Sequence, residues 1–130
     1  MKIAFTIFLV LNLLTELLAA ASLIGGPMGI SASGEAAAGG WAMHYGFAVI
    51  AIASTLFWLW PYRSSLSAVT AVLGMLLTFH ICLFISLSIA GDQQAGVIIH
   101  AVLAVFSVIL FSQRKKWCSL EDPAAVSLPR

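Results

Sequence analysis

The sequence predicts an all-α integral membrane protein, a four-helix bundle with both termini in the cytoplasm. Three observations predict it. Apolar residues make up 62% of the 130-residue chain and charged residues 8%, with a mean hydropathy of +1.06; a soluble domain carries about 25% charged residues. The charged residues avoid four apolar runs, each close to the ~20 residues that cross a hydrocarbon core about 30 Å thick. If those runs cross alternately, every Lys and Arg falls on one side.

The first span is read from Ile3 to Ile24 and the second from Gly40 to Trp60. The third runs from Leu66 to Ala90 and the fourth from Gln93 to Phe111. The breaks carry turn chemistry: Gly25-Gly26-Pro27, Pro61-Tyr62-Arg63 and Gly91-Asp92. Residues 1–117 form one transmembrane domain, and 118–130, with Pro123 and Pro129, a mobile cytoplasmic tail. Lys2, Arg63, Arg114, Lys115, Lys116 and Arg130 lie at the N-terminus, the second loop and the tail, whereas the first and third loops hold only Glu35 and Asp92. That asymmetry places both termini inside. Trp41, Tyr45, Trp58, Trp60, Tyr62 and Trp117 lie near span ends, where interfacial aromatics belong. The expected location is a bacterial inner (plasma) membrane.

The first span has a rival reading. Lys2, an apolar run and Ala19-Ala20-Ala21 have the shape of a signal peptide, but Asn12, Thr15 and Glu16 sit badly in such a core, so it is read as a span. The Gly-, Ala- and Ser-rich first loop, 25–40, reads as a flexible linker or a lid. A net charge of +1 gives no basic patch for nucleic acid. Cys82 and Cys118 fall at different depths, which disfavours a disulfide, and the chain has no CxxC.

Glu16, His44, His80 and His100 fall one to each span. Ionisable groups in lipid are expensive and mark partners or cavities. At 1.5 Å per residue, Glu16 and His80 are roughly 20 Å from the inner face and His100 about 10 Å from the outer one. His44 is about 6 to 12 Å deep, depending on where its helix starts. The four groups thus share a layer in the outer leaflet.

Helical spacing tests their facing. Asn12, Glu16 and Ala20 share a face, with Thr15 beside it; His44 aligns with Ala48, Ala51 and Thr55; His100 aligns with Gly96, Ala104 and Ser107. Small and weakly polar residues mark interhelical faces. His80 instead aligns with Leu73, Leu76, Leu77 and Leu87, nearly opposite the small residues Ser67, Ala71, Gly74, Thr78 and Cys82. Either His80 faces a core of large side chains while the small stripe packs on another subunit, or His80 points elsewhere.

Three imidazoles and a carboxylate suit a transition metal, zinc or iron with copper also suitable. Glu16, His44, His80 and His100 are the expected ligands, with Asn12, Thr15 and Tyr45 orienting them. The site would serve a metal-dependent membrane enzyme or a metal-handling protein; no catalytic residue is assigned. His80 and His100 are also the best pair for a haem b. In size, span number and a membrane-embedded Glu16 on its first helix, the chain is similar to the small multidrug resistance transporters. That resemblance implies a proton-coupled transporter using Glu16, although three intramembrane His depart from the family. A non-catalytic accessory subunit of a larger membrane complex is a further alternative, and the four groups could also be buried polar residues that hold the bundle. Membrane lipid and either a second copy or a partner membrane subunit are the expected partners.

Overall fold

The computed structural model describes residues 1–25, 41–91 and 93–119. Helix α1 spans Lys2–Gly25, α2 Trp41–Ala53 and α3 Thr55–Leu59, followed by a 3₁₀ turn, Trp60–Tyr62. Helix α4 spans Leu66–Ala90 and α5 Gln94–Gln113, which runs into a second 3₁₀ turn, Arg114–Lys116. The all-α expectation holds: the described residues contain no strand, only an isolated bridge between Ser65 and Ser119. Four stretches are long and apolar enough to cross a membrane: Lys2–Gly25, Ala42–Tyr62, Leu66–Ala90 and Gln94–Lys116. Their outer surfaces are apolar, with Ile89 82% and Trp58 78% exposed, as lipid-facing residues would be. The first loop with Glu35, Asp92, and the tail from residue 120 lie outside the described residues.

The second span is interrupted at Ser54, where two hydroxyls turn back on the helix. Ser54 Oγ donates to the Ala51 carbonyl at 2.7 Å and Thr55 Oγ1 to that of Ile52. Such side-chain bonds compete with the helical ladder.

The chain forms two compact units, Met1–Phe8 with Trp58–Arg130, and Leu9–Phe57. In the first, α4 and α5 pack as a helical hairpin. Ser65 caps α4, its hydroxyl accepting from Ala68 N–H at 3.5 Å. Gly91 ends α4 in the left-handed region, φ 75°, and donates its N–H to Leu87 O at 2.9 Å. Glycine suits this position because a Cβ disfavours left-handed backbone. Val69, Leu73, Leu76 and His80 are the buried residues of α4; His100, Leu103, Ser107 and Leu110 are those of α5. Both sets recur at intervals of three and four, so each is one stripe. Counting from the His80–His100 contact in an antiparallel hairpin sets Leu76 level with Leu103, Leu73 with Ser107 and Val69 with Leu110.

At the other end of the hairpin, Arg114 Nε donates to Thr70 Oγ1 at 2.8 Å, and its guanidinium lies 3.7 Å over the Phe111 ring. Ser119 N–H donates to Ser64 O at 2.7 Å, and Leu66 N–H donates to Ser119 O at 3.0 Å. Ser119 is thereby tied to the start of α4.

In the second unit, Leu9, Asn12, Glu16 and Ala20 are the buried stripe of α1. On α2 the buried residues are Ala42, Gly46, Val49 and Ala53. Gly46 sets that face: a Cβ there would meet Ile24 Cγ1 at 2.6 Å, Leu23 Cβ at 3.2 Å and the Ala20 carbonyl oxygen at 3.3 Å. The inward face expected from His44, Ala48 and Ala51 is exposed instead. Of that expected set, Thr55 alone is buried.

Candidate metal centre

His80 and His100 form the centre of the site. His80 is the last buried residue of the α4 stripe and His100 the first of α5. The hairpin joins them: Nδ1 of one lies 3.0 Å from Nδ1 of the other, with ring centroids 5.3 Å apart and planes 35° apart. His80 is fully buried and His100 only 6% exposed. A bond between two Nδ1 atoms requires one to carry a proton and the other to present its lone pair.

Aromatic edges surround the pair. Phe79 meets His80 and His100 edge-on at 5.4 and 6.2 Å, and Phe8 meets His80 edge-on at 6.3 Å. Phe106 in turn packs edge-on against Phe8 at 5.5 Å. These rings give the imidazoles an apolar wall, which lowers the local dielectric and strengthens any charge interaction inside it. Reading the titratable groups alone misses Phe8 and Phe79. Phe8 lies four residues before Asn12 on the buried stripe of α1, and Phe79 is the immediate neighbour of His80.

Glu16 is 1% exposed on α1. Glu16, His80 and His100 are a group of buried residues that each offer one atom of the kind a metal ion takes, the carboxyl in the second unit and the two imidazoles in the first. His44, the fourth residue of the expected set, is exposed and lies outside this group. It sits two positions from Gly46, about 200° around the helix, and so points away from the buried stripe. Of the three residues expected to orient the ligands, Asn12 is buried and Thr15 and Tyr45 are half-buried. Asn12 Oδ1 and the Tyr45 hydroxyl have no hydrogen-bond partner among the described residues.

Two nitrogens held about 2.0–2.1 Å from one tetrahedral ion are roughly 3.3 Å apart. The His80–His100 pair, at 3.0 Å, is within a few tenths of an ångström of that edge. A haem needs its two axial nitrogens on opposite faces of a porphyrin; two imidazoles in direct hydrogen-bonding contact do not offer that arrangement. Comparison with protein-family models, curated proteins and solved structures gives no match.

Proposed function

We propose that this chain is an integral membrane protein that binds one transition-metal ion, zinc or iron with copper as a further candidate, through Glu16, His80 and His100. The observation that carries the reading is the buried imidazole pair, its nitrogens 3.0 Å apart, with the buried carboxyl of Glu16 as the third donor. Neutral imidazole nitrogens and a carboxylate oxygen are the donors these ions take. Three protein ligands leave a fourth position for water or substrate, the arrangement in which a metal acidifies water or polarises a carbonyl. Asn12, one turn before Glu16 on the same buried face, would hold a ligand or a metal-bound water through its Oδ1. Orientation by the basic residues puts the ion in the outer leaflet, open to the external space or to lipid. A metal-dependent membrane enzyme and a metal-handling protein both fit this placement.

A second reading is favoured by the hydrogen bond itself. Two buried imidazoles sharing a proton, with Glu16 as a further buried titratable group, would make a proton-carrying site, as a proton-coupled transporter requires. Elemental analysis of the protein, purified without a His tag, separates the two. Near-stoichiometric metal that is lost in His100→Ala supports the metal centre. Absence of metal, even after zinc or iron is supplied at micromolar concentration, favours the proton site.

A further inference from the structure

At the end of the first unit opposite the imidazole pair, Lys2, Phe5, Thr6, Arg63 and Ser64 line a small cleft of about 40 Å³. Its chemistry is one-sided. Two cations converge from segments about 60 residues apart in sequence, and Glu16, the only carboxylate among the described residues, lies about 21 Å further along α1 from Lys2. Arg63 is already positioned: its Nη1 donates to the Trp60 carbonyl at 2.7 Å, and the guanidinium lies 4.5 Å from the centroid of the Trp60 ring. One edge of that guanidinium is thereby fixed and the rest is left to donate. Helix α1 begins at the same cleft. Its first intrahelical bond is Phe5 N–H to Met1 O, so the N–H groups of Lys2, Ile3 and Ala4 have no helical acceptor. A helix N-terminus also favours negative charge. Phe5 forms the apolar floor, its ring 5.0 Å from that of Trp117.

We propose that this cleft binds a phosphate group, held by Lys2, Arg63, the Ser64 hydroxyl and the first turn of α1. Its position at the basic end of the spans makes the headgroup of an anionic phospholipid the main source, with free phosphate the alternative. A fixed guanidinium, a mobile ammonium and free N–H groups give the directional donors that phosphate oxygens need. The surface residues Lys115 and Lys116 add attraction to an anionic leaflet but do not line this cleft.

Native mass spectrometry of the full chain in a neutral detergent tests this. Phosphatidylglycerol and phosphatidylcholine are titrated in separate arms, and inorganic phosphate in a third. The expected result is one phosphatidylglycerol retained per chain and little phosphatidylcholine. Lys2→Gln and Arg63→Gln each weaken retention roughly fivefold, and Lys115→Gln with Lys116→Gln leaves it within twofold. Saturation by inorganic phosphate alone also supports a phosphate site and makes free phosphate its source. No retained anion in any arm overturns the proposal. So does an equal loss in the Lys115 and Lys116 variant, which would reduce the effect to general surface charge. Circular dichroism of each variant confirms that the helices are intact, so that a loss of binding reads on the cleft.

Discussion

Nδ1 of His80 and Nδ1 of His100 are 3.0 Å apart, although 20 residues of chain and a helical hairpin separate them. The contact depends on the register of α4 and α5. Shifting one helix by a single residue would turn its stripe by about 100° and separate the rings. A polar pair of this kind contributes only about 0.6 kcal/mol to helix association on average, so its burial among Phe8, Phe79 and the hairpin leucines is better explained by a role at the site than by stability.

Metal binding must displace the proton between the rings, sending it to a second ring nitrogen or to water. In ¹⁵N-histidine spectra of metal-depleted protein, one of the two Nδ1 atoms is expected to be protonated. Addition of one equivalent of zinc is expected to abolish that Nδ1–H signal and shift both Nδ1 resonances. Unchanged Nδ1 signals at saturating zinc would place the ion elsewhere.

Gly46→Ala is expected to destabilise the protein by about 1–3 kcal/mol, the usual cost of overpacking, because the added Cβ meets Ile24 Cγ1 at 2.6 Å and the Ala20 carbonyl oxygen at 3.3 Å. Gly74→Ala serves as its control. The nearest neighbour of a Cβ there is Phe111 Cε2 at 4.0 Å, so only the helix-propensity gain remains, up to about 1 kcal/mol. Reversible unfolding in mixed detergent compares the two, and equal effects would contradict the packing described for α2.

Gly91→Ala isolates backbone strain from packing. The residue has φ 75°, and a Cβ would meet nothing within 4 Å. The expected loss is about 1–2 kcal/mol, from conformation alone. Gly91→Asn is expected to recover part of it, since Asn tolerates the left-handed region.

The helices differ in how far their buried faces are legible in the sequence. On α1 a few polar residues interrupt an apolar run at four-residue spacing, so spacing alone puts Asn12, Glu16 and Ala20 on one face. On α4 the small residues point the wrong way: the hairpin packs Leu73 and Leu76, while Ser67, Ala71, Thr78 and Cys82 are not buried. On α2 small residues occur on every face, so they cannot choose one. Contact with Ile24 and Leu23 decides it, and that is a tertiary fact. Depth counting therefore suggests a layer of four titratable groups; of these, Glu16, His80 and His100 are buried and His44 is exposed.

Cys118 offers a pH test at the basic end. Burial pushes its thiol pKa up, while the charges of Lys2 and Arg114 pull it partway back. A raised pKa means less thiolate at a given pH, and thiolate is the reactive form. Alkylation of Cys118 in Cys82→Ser protein is thus expected to be slower at pH 8 than for a free thiol, and to keep rising at higher pH. Adding Arg114→Gln removes one opposing charge and should slow it further. A rate equal to that of free thiol would contradict the burial.

The most direct test of the metal centre is metal content by elemental analysis across four tag-free proteins: the native chain, His80→Ala, His100→Ala and His44→Ala. The account predicts close to one zinc, iron or copper per native chain, retained in His44→Ala and lost in both other variants. Metal lost in His44→Ala and kept in His80→Ala or His100→Ala would contradict it.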